Sequence, residues 1–173
     1  MLKKRFLPFA ILFSLLFTMF LHATTVQRLE FDDLVKKAQR IVIGKVRSSR
    51  THWSDNGKLI LTSYTIDVAE TIKGQPGRTI EITAVGGKIG DLELFVSGVP
   101  SFEAGEDAVV FVEQSGAYQT VVGLGQGKFT VKNGEVSNNV HDLSFPDGRP
   151  GTPLRMSVET FKTQIKALVS RQQ

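Results

Sequence analysis

Apolar positions near the start of the chain fall at helical spacing and then change period. Phe31, Leu34, Val35 and Ala38 lie at i, i+3, i+4 and i+7, which predicts a short helix over residues 30–39. Asp32 and Asp33 stand in its first turn and Lys36 and Lys37 later, the order the helix dipole favours. From Ile41 to Val46 the chain is apolar on both faces, a buried type of strand, and polar residues continue it to Trp53. Ser54-Asp55-Asn56-Gly57-Lys58 is hairpin-turn chemistry, and the return strand runs from about Leu59 to Ile72. Within it Tyr64, Ile66 and Val68 alternate with Thr65, Asp67 and Ala69. Residues 73–77 break the chain, and residues 78–85 form a third strand.

A glycine-bearing segment follows from Gly86 to Gly105, punctuated by Leu92, Leu94, Phe95, Val96, Val99 and Phe102. Residues 107–113 are apolar on both faces, as expected of a central strand covered on each side. Residues 118–122 and 128–132 make a further pair, and Asn133-Gly134 turns into a short stretch at Glu135-Val136. Residues 138–156 carry three prolines and two glycines and are expected to be loop. A closing helix begins at Ser157, a suitable N-cap, with Val158, Phe161, Ile165, Leu168 and Val169 as its apolar stripe. The pattern predicts one mainly β domain of five to six strands, with a short helix before it and a helix after it.

Ahead of the domain, Lys3, Lys4 and Arg5 precede an apolar run of 16 residues from Phe6 to Leu21, and Leu21-His22-Ala23 offers a small-residue cleavage site. This is the pattern of a secretory signal peptide over residues 1–23. The alternative, an uncleaved anchor, is disfavoured because a spanning helix needs about 20 apolar residues, and Pro8, Ser14 and Thr18 interrupt this run. The expected location is periplasmic or extracellular, with a β domain over 24–156 and a terminal helix over 157–173. Cleavage changes the charge. The whole chain carries +4, but residues 24–173 hold 18 basic and 17 acidic side chains, a net of +1. No basic footprint for nucleic acid or anionic lipid remains. With no cysteine, thiol catalysis, cysteine-ligated zinc and iron–sulfur clusters are excluded.

Three runs then carry a resemblance. Ile41-Val42-Ile43-Gly44-Lys45-Val46, Tyr64-Thr65-Ile66-Asp67-Val68 with Ile72-Lys73-Gly74, and Gly105-Glu106-Asp107-Ala108-Val109-Val110-Phe111-Val112 together resemble the netrin-like module. That module is the OB-fold barrel of the tissue inhibitors of metalloproteinases, and the likeness covers residues 38–131. It implies a small OB-like barrel and a protein partner such as an exported metalloprotease. The inhibitors, however, place an N-terminal cysteine on the protease zinc. Here the expected mature terminus is Thr24-Thr25, so no inhibitory residue carries over by position. Gly86-Gly87, Val99-Pro100-Ser101-Phe102 and Gly125-Gln126-Gly127-Lys128-Phe129 are similar to a group of exported bacterial proteins, a likeness that implies no activity.

Other chemistry is thinly represented. Gly123-Leu124-Gly125-Gln126-Gly127-Lys128 lacks the first glycine and the final hydroxyl of a phosphate loop, and is better taken as a bend in strands. Gly86-Gly87-Lys88-Ile89-Gly90 sits in no strand–helix unit, so it is no dinucleotide fingerprint. No nucleophile motif surrounds any serine, and the pairs Asp91/Glu93 and Glu103/Glu106/Asp107 suit a solvated rim. His52 and His141, with Asp55 close to the former, are the residues from which a metal site would be built. Trp53 beside the first turn, and Leu92, Leu94, Phe95 and Phe102 in the long loop, are the candidate contact residues. The expectation is an exported, non-enzymatic protein-interaction module without a cofactor. The alternative is a small-ligand or metal-binding domain that uses His52, Asp55 and His141.

Overall fold

The computed structural model describes residues 25–172, so the expected signal segment lies outside the described residues. Helix α1 spans Phe31–Lys37. Ten strands follow: β1 Arg40–Trp53, β2 Ile60–Lys73, β3 Thr79–Val85, β4 Gly87–Ile89, β5 Leu92–Leu94, β6 Asp107–Ser115, β7 Tyr118–Val121, β8 Lys128–Lys132, β9 Glu135–Asn138 and β10 Arg155–Ser157. Helix α2, Val158–Ser170, closes the chain. Both helix starts follow from their sequence. Glu30 and Asp33 form a capping box on α1, and the Ser157 side chain accepts from the Thr160 amide at α2.

The main sheet has the order β10-β9-β8-β6-β1-β2-β3, with β7 also paired to β6. β6 lies along β1 on one edge and divides its other edge, giving residues 108–110 to β8 and 112–115 to β7. Irregularities in the β1–β2 register after Ile41, Ile43 and Val46 coil this long hairpin, as bulges do. The coil brings β3 close to β7. Even so, the expected barrel is not closed: among the described residues no ladder joins these two strands. The reason lies in β6. Three of its nine residues pair with β8, so only the four residues of β7 face β3.

Strand β6 separates two cores, which explains why it is apolar on both faces. Val109 and Phe111 join Leu34, Val35, Ile41, Phe129, Phe161 and Ile165 in an outer core beneath the two helices. Ala108, Val110 and Val112 join Val42, Val46, Tyr64, Ile66, Ile80 and Ile82 in an inner core within the coiled hairpin. Lys73 fastens the helical layer. Its ammonium donates to the Val35 carbonyl at 2.7 Å, near the end of α1, and to Gln172 Oε1 at 3.1 Å, and burial lowers its pKa.

Two elements within expected loops are strands. Residues 87–94 form the β4–β5 hairpin, and residues 155–157 form β10 against β9. Among the described residues no helix is long and apolar enough to cross a membrane.

Candidate partner-binding surface

The segment from Phe95 to Glu106 is tied down at several points. At its start the Ser97 hydroxyl donates to the Asp142 carbonyl at 2.7 Å, and the Gly125 amide donates to the Gly98 carbonyl at 2.9 Å. Further on, Phe102 packs on Tyr64 with ring centroids 4.9 Å apart, and the Gly105 amide donates to the Val46 carbonyl at 2.8 Å. Phe102 is therefore buried, and its expected role in partner contact is corrected: it lids the inner core. Burying its ring against Tyr64 removes apolar area from water that exposure would forfeit.

Beneath Phe102 lies an ion pair. Lys128 Nζ stands 2.5 Å from Glu106 Oε1, with side chains only 14% and 10% exposed. The Thr130 hydroxyl donates to the same oxygen at 2.5 Å, and the Glu103 amide donates to Oε2 at 3.1 Å. The Lys128 ammonium also lies 5.1 Å from the Phe102 ring centroid. Burial pushes the Glu106 carboxyl up, but Lys128, Thr130 and the Glu103 amide together hold it below its ordinary value.

What this fastening leaves outside is the hairpin and the residue after it. Phe95 is 81% exposed and Leu92 is 59% exposed, while Leu94 is half-buried. Phe95 stands on the rim of a cleft of about 200 Å³ whose walls include Val99, Pro100, Gly125, Lys128 and Asp142. The hairpin is seated on the sheet: Thr62 Oγ1 donates to the Gly86 carbonyl at 2.7 Å, and Gly87 fits against Thr51 and Thr62.

The far wall of the cleft rests on the glycine-rich run, which forms a 3-10 turn over Leu124–Gly127 between β7 and β8. Its glycines serve close approach. A Cβ at Gly125 would meet the Asn139 carbonyl, and one at Gly127 the Val122 carbonyl. The amides a phosphate would need are in use, Gly125 toward Gly98 and Gln126 toward Gly123. The buried Gln126 side chain accepts from the Leu29 amide at 2.9 Å and donates to the Gln27 carbonyl at 3.1 Å, clamping residues 25–30. Arg28 continues that strap onto Asp147 and lies 4.0 Å over the Phe145 ring, and Arg28 holds the Asp147 carboxyl down at about 2.

The other expected residues are dispersed. Trp53 is 43% exposed at the β1–β2 tip, and Leu59, which no sequence pattern singled out, is equally exposed across the turn. His52 is engaged within the sheet, with Nδ1 2.9 Å from the Trp53 carbonyl and Nε2 3.1 Å from Ser63 Oγ. A carbonyl only accepts, so Nδ1 is the donor in the first of these contacts. Asp55 is exposed in the turn, and His141 is exposed on the loop after β9. His52, Asp55 and His141 are not brought together, and among the described residues no group of three or more His, Asp or Glu side chains is placed to hold a metal.

Sequence reasoning missed the Glu106–Lys128 pair because its partners, one just before β6 and one opening β8, are 22 residues apart in the chain. No family model, curated protein or solved structure matches this chain.

Proposed function

We propose that this chain is an exported, non-enzymatic module that binds another protein through Phe95 and Leu92. The observation that carries the reading is Phe95, 81% exposed at the start of a segment otherwise pinned to the inner core and to the loops around Gly125 and Asp142. A phenylalanine so placed gains nothing for folding and offers a large, preordered apolar contact. Trp53 and Leu59 form a second apolar point at the tip of the long hairpin. The coiled β3-β2-β1-β6-β7 order supports reading the inner half as an open OB-like, netrin-like barrel. An exported protein is the partner, and a metalloprotease is the first to test. Without a cysteine thiolate for a protease zinc, the module would act on such an enzyme by covering its surface.

A photoreactive residue at position 92 of the full chain, in cells of the source organism, tests this. A discrete cross-linked species is expected, and it should disappear when Phe95→Ser is added. Phe95→Ser itself should leave the melting temperature nearly unchanged, since exposed substitutions lie within about 0.5 kcal/mol. An adduct indifferent to Phe95→Ser, or no adduct with folded protein, would remove the assignment.

A further inference from the structure

Strand β1 has neighbours on both edges for only about half its length. On one side β2 pairs with it from Ile41 to Trp53. On the other, β6 accompanies it from Arg40 to Lys45. The last contacts there are the Val46 amide donating to the Glu106 carbonyl and the Gly105 amide donating to the Val46 carbonyl, each at 2.8 Å. The chain before Gly105 turns onto the face of the sheet, where Phe102 covers Tyr64. From Arg47 to Trp53 this edge of β1 has no strand beside it, and among the described residues no backbone–backbone hydrogen bond is made along it.

The unpaired groups can be named. The Ser54 amide donates to the Leu59 carbonyl across the turn, and the register is unbroken from Ser48 opposite Thr65 to Trp53 opposite Ile60. Alternation along an antiparallel pair therefore turns Ser48, Arg50 and His52 toward β2, and Ser49, Thr51 and Trp53 outward. His52 Nδ1 takes the Trp53 carbonyl. The N–H and C=O of Ser49 and Thr51 and the N–H of Trp53 are left without a protein partner.

Free edges invite pairing, and folds blunt them with bulges, charges or very short strands. Here β5 and β10 are three residues each, and β3 lies close to β7. On β1 the bulge falls at Arg47, where the open stretch begins, and the Arg47 guanidinium is drawn across onto Asp67 of β2. Beyond it Arg50 is the one fixed charge on the edge. Its side chain is exposed and joins none of the ion pairs among the described residues.

We propose that the open edge of β1, residues 47–53, binds an extended segment of another protein as an added strand. The backbone groups of Ser49 and Thr51 hold the segment, and side chains select it. Successive residues of a strand point to opposite faces, so the segment meets two surfaces. On the face of Ser49 and Thr51 it meets the Trp53 ring, which is 43% exposed and favours an apolar residue. On the other face it meets Arg50, which favours an acidic one. Alternating apolar and acidic residues are the chemistry that fits. A second copy of this chain fits poorly, because two such edges would set Arg47 and Arg50 of each against those of the other. The contact is separate from Phe95.

Three capped hexapeptides test this on the full chain: alternating valine and glutamate, alternating valine and lysine, and the valine–glutamate peptide N-methylated throughout. Each spans about 20 Å, the length of the open edge. Amide resonances and hydrogen exchange at Ser49 and Thr51 are the readouts. The valine–glutamate peptide should shift both amides and slow their exchange roughly tenfold or more once bound, and its N-methylated form should do neither. The valine–lysine peptide should bind about threefold more weakly, and Arg50→Glu should reverse that order. Ser49→Pro, tolerated on an edge but lacking one outward donor, should abolish protection at Thr51 with little change in melting temperature. Phe95→Ser should leave peptide binding as it is. The site is overturned if no peptide protects these amides, if the N-methylated peptide protects them equally, or if Arg50→Glu leaves the order unchanged. It is also overturned if the peptide-free chain forms a dimer in which the same amides are protected, since a second copy would then hold the edge.

Discussion

Phe111→Ala is expected to lower stability by about 3–5 kcal/mol, the range for removing a buried aromatic ring. The site leaves little room for collapse. Phe111 is fully buried in β6, and its ring meets Phe129 at 5.6 Å, Phe161 at 6.0 Å and Phe31 at 6.2 Å between centroids. These neighbours come from β8, α2 and α1, so the void would sit where the helical layer joins the sheet. Against a total of about 5–15 kcal/mol for an ordinary domain, the loss is a large fraction. Urea unfolding monitored by circular dichroism reads it directly. A midpoint within error of the parent would mean that the helices do not rely on β6.

The second large effect falls on the ion pair beneath Phe102. Glu106→Gln or Lys128→Met alone should each cost about 3 kcal/mol, because each leaves the other charge buried without its partner. The double substitution should recover a substantial part of that loss, and the cycle measures the coupling. A pH titration gives the same pair a sign. The Glu106 carboxyl is held below its ordinary value, so between its folded and unfolded pKa the unfolded chain binds more protons. The stability it contributes is complete above the ordinary carboxylate range and is lost as pH falls through its folded pKa. Asp147 follows the same direction and is lost only toward pH 2. The stability gap between the parent and Glu106→Gln should therefore be widest above the carboxylate range and narrow as pH falls through the folded pKa of Glu106. Equal acid profiles, or singles no worse than the double, would show that the pair carries no coupling.

The sequence was most legible where one residue's neighbours along the chain determine its state. Period-two alternation marked β2, the doubly apolar run marked β6 as a wall with a core on each side, and Asn56-Gly57 and Asn133-Gly134 marked their turns. Ser157 was recognisable because capping is a three-residue interaction. The β4–β5 hairpin gave no such signal, since its strands are three residues each and largely exposed. Closure of the sheet was also out of reach, because it depends on how β6 divides its edge between β7 and β8. Phe95 and Phe102 illustrate the limit for the site. They share one loop and one chemistry, yet Tyr64, some forty residues away in the chain, makes one of them core and leaves the other in solvent. Lys128 is a single charge whose significance comes from Glu106, which stands just before β6 and far from it in the chain.

A single strand serving as the party wall of two cores also shapes how the molecule comes apart. Neither the helical layer nor the coiled hairpin has an inner surface of its own once β6 leaves, because Val109 and Phe111 face one and Val110 and Val112 the other. Local openings that spare β6 are confined to the rim. Amide protons of Ile41 to Val46 and of Ala108 to Val112 should exchange with deuterium only through complete unfolding, at one common rate per opening. The two halves form one cooperative unit, so damage to either is felt at the same time by both.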